Sequence, residues 1–217
     1  MKETSLILLI AFLCLSSCTI VVKSLARLAV KDYGEYSDVS ISDIQVINDS
    51  KHTSFGQLFP GKVVYLTVWR GKINETPYHN NLKYSALVQR FSKYPDVAFA
   101  NLFICDCSDT SSSGLRLAGK IPAVFSKMNT SSAEGTSFII GKDGTVLGFR
   151  GPKPTDDLLV DYVLFESRKG VPAEKSAKRL IRGINSNSRF KKRELREWYA
   201  HHFNKEPLNL SFSVSTP

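Results

Sequence analysis

Two cysteines one residue apart, Cys105 and Cys107, are the side chains whose types and spacing best suit chemistry. A thiolate attacks a disulfide sulfur, and a Cys-x-Cys bridge closes a ring so small that it is strained and reducible. Asp106 and Asp109 act against this reading, because nearby negative charge disfavours the thiolate. No Lys or Arg adjoins the pair in sequence. The plainer alternative is a pair of strand-end thiols, or a structural bridge of the kind that persists outside the cytoplasm. A metal site would need one or two further ligands. Of the four histidines, His52, His79, His201 and His202, His79 is the candidate, and an isolated surface histidine is the commoner role. The expectation is no metal and no cofactor. Gly-x-Ser-x-Gly, Walker and dinucleotide signatures are absent from the sequence, which gives hydrolysis and nucleotide binding no support. The run "SDTSSSG" (108–114) reads as a solvated loop. Asn74-Glu75-Thr76 is a glycosylation sequon that has meaning only in a eukaryotic secretory pathway.

The elements that must position these residues come from the patterning. A chain of 217 residues, 42% hydrophobic and 23% charged, has room for one ordinary domain with extras. "ISDIQVIND" (41–49) alternates as a short strand, and "TSFGQLFPGK" is loop and turn. "KVVYLTVW" (62–69) is apolar on both faces, so it predicts a central strand. "YHNNLKYSALVQRFSKY" (78–94) has helical spacing and stops at Pro95. "DVAFANLFIC" (96–105) is the next buried strand. "LRLAGKIPAVFSKM" is helical in parts and broken at Pro122. "GTSFIIGKDGTVLGF" predicts a hairpin, 136–140 and 146–149, around Gly141-Lys142-Asp143-Gly144. "TDDLLVDYVLFESR" (155–168) is a helix with Thr155 as its cap. A βαβ unit followed by a hairpin and a helix gives a mixed sheet covered on both faces.

The N-terminus stands apart. "MKETSLILLIAFLCLSSC" has one Lys and then an apolar run from Leu6 to Leu15, the layout of a secretory signal. Leu15-Ser16-Ser17-Cys18 resembles a bacterial lipobox. That resemblance implies cleavage before Cys18, lipid on its sulfur and a membrane partner, since two or more acyl chains anchor firmly. Thr19, in place of an aspartate, favours the outer membrane. The alternative is an uncleaved anchor over residues 5–22, just long enough to span a bilayer. Either way the chain would face the periplasm from the cell envelope. The expected organisation is signal 1–17, tether 18–40, domain 41–168, basic helical extension 169–205 and tail 206–217.

The order and local sequences of the domain resemble the thioredoxin-like family, in particular its membrane-anchored, extracytoplasmic thiol-disulfide branch of the TlpA type. "FGQLFPGKVVYLTVW" (55–69) is similar to that family's loop, turn and central strand. "GTSFIIGKDGTVLGFRG" (135–151) is similar to its hairpin, and residues 155–168 to its last helix. The resemblance covers residues 40–168 and implies an α/β fold, a mixed central sheet flanked by helices. It also implies a Trp-Cys-x-x-Cys motif after the central strand and a cis-proline facing it. Counted from Trp69, the two cysteines fall on Ile73 and Thr76, and the proline falls on Gly135. The family's disulfide exchange therefore does not carry over. The same resemblance implies that Cys105 and Cys107 end a strand beside the central one, at the same edge. Copper-binding relatives carry their cysteines where Ile73 to Thr76 stand, so their site does not transfer. What remains is a binding or structural module, with Trp69, Asn74, Glu75 and Gly135 as the candidate groove. The alternative is a divergent oxidoreductase working through Cys105 and Cys107.

Charge is concentrated at the other end. The net charge is +9; residues 1–167 carry 17 Lys/Arg against 16 Asp/Glu, and residues 168–205 carry 12 against 3. Pro172 predicts a helix start, ended by Gly183. A second helix over 189–203 has Leu195, Trp198, Tyr199, His202 and Phe203 on one face and Lys191, Lys192, Arg193 and Arg196 on the other. The segment reads as a helical hairpin packed on the domain with a solvated basic face, as a surface for anionic lipid, or as the docking site of an acidic protein in an envelope complex. Nucleic acid is not expected outside the cytoplasm.

Overall fold

The computed structural model describes residue 24 and residues 26–70, 82–104, 114–126, 128, 135–185, 187–208, 210 and 213. Cys18, Ile73, Asn74, Glu75, Thr76, His79, Cys105 and Cys107 lie outside these residues. The core is one seven-stranded sheet in the order β2-β1-β5-β4-β3-β6-β7. Its strands are β1 (Gln45–Asn48), β2 (Lys51–Ser54), β3 (Val63–Arg70), β4 (Val97–Ile104), β5 (Leu115–Leu117), β6 (Thr136–Ile140) and β7 (Val146–Gly148). The long helices are α1 (Leu82–Phe91), α2 (Asp157–Ser167), α3 (Ala173–Gly183) and α4 (Arg193–Phe203). β3 pairs in parallel with β4 and antiparallel with β6. The mixed α/β architecture expected from the sequence is the one observed.

β3 is central because neither of its faces tolerates water. Val63 and Tyr65 enter the core under the helices, while Val64, Leu66 and Val68 enter the core on the other face, following the alternation of strand side chains. The two faces are covered differently. The first carries α1, α2, α3 and α4. The second is closed by Ile41, Phe55, Val124, Phe125 and Met128, from loops and the short helical turns Phe55–Leu58 and Ala123–Ser126.

Several elements differ from expectation. The stretch 41–54 forms a hairpin, β1–β2, and not one strand and a loop. Its turn residues Asp49 and Ser50 have φ of 47° and 68°, a primed geometry normally signalled by Asn-Gly. Leu115–Leu117 is a strand, not helix; its three residues bridge β1 and β4. Thr155 does not cap α2. A turn of 3-10 helix, Pro154–Asp156, leads in, and the Lys153 amide donates to Asp156 Oδ2 at 2.7 Å. The hairpin β6–β7 is as expected, with Gly144 at φ 81°, where an added Cβ would strike Ser42.

The segments placed outside the domain are folded into it. Residues 26–40, expected as tether, bury Ala26, Val30 and Tyr33 beneath α3 and α2. Leu180, Leu195, Trp198, Tyr199 and Leu210 of the extension and tail enter the same cluster. α2 is buried nearly all round, as an apolar helix with no polar face must be; the extension supplies its outer cover. Holding the layers together is Asp161, fully buried on α2. It accepts two hydrogen bonds from Arg90 of α1, each 2.7 Å, and one from His202 Nε2 of α4, also 2.7 Å. An ionised carboxylate only accepts, so Nε2 carries the proton. The Tyr94 hydroxyl lies 3.1 Å from His202 Nδ1. Lys93 Nζ donates to the carbonyls of His201 and His202, capping α4, a favourable place for a cation.

Asp161→Ala is expected to cost about 3–5 kcal/mol, because the half-buried Arg90 and the buried His202 are left without their acceptor. The exposed pair Lys83–Asp157 is expected to lose under about 1 kcal/mol in Lys83→Ala. Urea unfolding at unchanged slope measures both.

Asp96, where β4 begins, supplies a pH dependence. Partial burial acts to raise its carboxyl, but hydrogen bonds from Lys142 and Arg168 win and hold it below its ordinary 3.8. Its contribution is complete above that ordinary value and is lost as pH falls through the depressed folded one. Asp96→Asn is expected to flatten the acid limb of stability against pH without altering the alkaline limb, read as urea midpoints across pH.

Candidate functional site

The edge where β3 ends is the site that the sequence singled out, and the strand register shows how it is built. Val68 pairs with Thr136, so Gly135 comes next to Trp69 across the β3–β6 ladder. Both are buried. A Cβ added at Gly135 would come within 2.5 Å of Thr67 Cγ2 and 2.9 Å of the Trp69 ring. Backbone and indole are thus in direct contact, and only glycine fits. The indole is fixed from its other side by a hydrogen bond from Trp69 Nε1 to Asn101 Oδ1, 3.1 Å. Thr67 Oγ1 is buried with no hydrogen-bond partner among the described residues.

The candidate groove therefore divides. Trp69 and Gly135 are brought together, as the sequence led us to expect, but as a closed floor. Asn74 and Glu75 lie outside the described residues, as do Ile73 and Thr76. β4 ends at Ile104, level with Arg70 at the end of β3. The residue preceding Cys105 thus sits at the same edge as Trp69, where the resemblance placed the cysteine pair. Arg70 Nη1 donates to the Ser126 carbonyl at 3.1 Å and ties the turn Ala123–Ser126 to that edge. Among the described residues no group of His, Cys, Asp or Glu could hold a metal ion.

One feature of the site escaped the sequence reading. β5 meets β4 only at Leu102 and Phe103, so residues 99–101 of β4 face an open cleft of about 350 Å³. It is lined by Asn48, Leu58, Phe59, Phe99, Asn101 and Leu115, among others. Asn101 thus touches the cleft while holding Trp69. The shortness of β5 creates this opening, and a three-residue strand carries no periodicity to detect.

The extension is docked on the domain through Asp161 and His202. The His202 ring is stacked between Trp198 and Tyr94, with centroids 5.7 Å away on each side. Burial raises the Tyr94 phenol above its ordinary value, Arg168 opposes this, and Asp161 adds to it. This Tyr–His–Asp chain has the connectivity of a hydrolytic triad, but the tyrosine is 6% and the histidine 2% exposed. A substrate has no route to either, and the chain serves packing.

No family model and no curated protein matches the sequence. Solved structures do show likeness in shape. A candidate thiol-disulfide oxidoreductase from Bacteroides vulgatus has a TM-score of 0.42 at 10% identity over 59% of this chain and 96% of that one. A thiol:disulfide interchange protein of the thioredoxin family from Chlorobium tepidum gives 0.39 at 14% over 60% and 96%. BsSco, of the Sco family of cytochrome c oxidase assembly proteins, gives 0.39 at 15% over 70% and 98%.

Gly135→Ala is expected to destabilise by about 1–3 kcal/mol through overpacking on Thr67 and Trp69. Thr67→Ser removes the methyl that the new Cβ would strike. A double-mutant cycle in urea should show the two changes coupled in the compensating direction; additive losses would mean that Gly135 does not press on Thr67.

Proposed function

We propose that the chain is a membrane-anchored, extracytoplasmic module on a thioredoxin-like scaffold that binds a partner and performs no thiol exchange. The observation that supports this reading best is the Gly135–Trp69 contact. The scaffold keeps the central strand and its terminal tryptophan, yet the position facing the family's motif has no space for a Cβ, let alone a proline ring. The motif positions themselves are Ile73 and Thr76, and the chain's four cysteines include no Cys-x-x-Cys pair. Exchange needs an attacking thiolate and a resolving thiol, and neither stands there. Binding would use the edge above Trp69 and Gly135, onto which residues 71–81 follow in sequence.

The test is redox activity of the purified chain. Insulin reduction and disulfide isomerisation are expected at the uncatalysed rate, and Cys105→Ser/Cys107→Ser is expected to change neither. The rival reading, an oxidoreductase working through Cys105 and Cys107, keeps its support from Ile104, which ends β4 at the same edge. Thiol trapping separates the two: a reversible disulfide lost in Cys105→Ser would overturn the binding-module reading.

A further inference from the structure

The cations of this protein fall into two groups. Some are held by carboxylates: Arg90 by Asp161, Lys142 and Arg168 by Asp96, Lys169 and Arg179 by Glu166, Lys178 by Glu174. The turn joining α3 to α4 gathers several that are not. Arg182, Arg189, Lys191, Lys192 and Arg196 are all exposed and make no ion pair among the described residues. Of the acids nearby, Glu197 accepts from Arg193.

This tip is a built element. The Asn185 side chain accepts from the amides of Asn187 and Arg189 at 2.9 Å each. The Lys191 amide donates to the Gly183 carbonyl at 2.7 Å, and Ile184 bridges Phe190. Leu195 packs so closely on Gly183 that a side chain there would collide with it. Five like charges are thus held together by a rigid turn, an arrangement that costs self-repulsion unless an anionic surface relieves it.

The chain itself says which surface lies within reach. The N-terminal segment enters the core at Ala26, and Gly34 meets Glu174 of α3. Gly34 and Ser37 share a cleft with Lys175, Lys178 and Arg182. Only seven residues separate Cys18 from Ala26, and three separate Val22 from it. At roughly 3.5 Å per residue, even the longer path reaches about 25 Å, less than the width of a domain this size. Leu28, in the first helical turn, is 66% exposed, suited to an interface.

We infer that the α3–α4 tip docks on anionic phospholipid headgroups and holds the domain in one orientation on the bilayer that anchors it. The inference rests on the membrane reading above. It commits to lipid because the tether is short and begins beside α3. Arg182 belongs both to the tip and to the cleft that Gly34 and Ser37 line, so the tip and the N-terminal segment share one side of the domain.

The full chain would be reconstituted into vesicles of phosphatidylcholine, alone or with an equal share of phosphatidylglycerol, floated, and its lysines acetylated and counted by mass spectrometry. On anionic vesicles the labelling of Lys191 and Lys192 is expected to fall about fivefold or more, and to recover in high salt. Lys51, on the opposite edge of the sheet, is the internal control and should not change. Flotation on both vesicles with equal labelling overturns the docking and leaves the anchor standing; an acidic protein would then be the tip's partner. Flotation on anionic vesicles alone supports the docking and removes the anchor. Failure to float on either overturns both. Lys191→Glu/Lys192→Glu/Arg196→Glu should still float through the N-terminus while the protection of Lys175 is lost; retained protection overturns the role of the tip.

Discussion

A carboxylate with no access to water dictates how this molecule is assembled. Asp161 can remain charged only if its oxygens are met by donors, and among the described residues these come from α1 and α4. A buried ion pair contributes little net stability, because desolvation consumes most of the attraction. What it enforces is register. A helix displaced by one residue would bury a charge with no partner, so α1, α2 and α4 have one compatible arrangement. The stack of Trp198, His202 and Tyr94 then sets how α4 lies on its neighbours. Lys93 fixes its far end through the last carbonyls.

That constraint explains the unequal cover of the sheet. The helices gather on the face where Asp161 must be reached, and the opposite face is closed by loops and short turns. The end of β3 lies between these regimes. Trp69 is pinned by Asn101 and floored by Gly135, so the floor of that edge is packed.

The legible parts of the fold were those with strong period. β3, β4 and the β6–β7 hairpin could be read because their apolar runs are long or bounded by glycine turns. The α4 face could be read, His202 included, because five residues repeat at helical spacing. β5 was hidden by its three residues, and the β1–β2 turn by residues that rarely take positive φ. That the extension packs on the domain was legible from its apolar face, but the buried contact that docks it was not. An aspartate in an apolar helix looks like a surface residue until its partners, 71 positions before it and 41 after it, are brought alongside. At the site, the sequence offered Trp69 and Gly135 as candidates. That they touch, and that a cleft opens beside Asn101, depends on tertiary placement that no local pattern encodes.

Ala26 and Leu210 belong to one hydrophobic cluster, and this has a consequence in time. The core cannot close from either end alone, and Asp161 has no imidazole beside it until residue 202 has been synthesised. Contacts of such sequence separation carry the largest loop-closure cost and form late. The core under the helices is therefore expected to complete only after residues near both 26 and 210 are available.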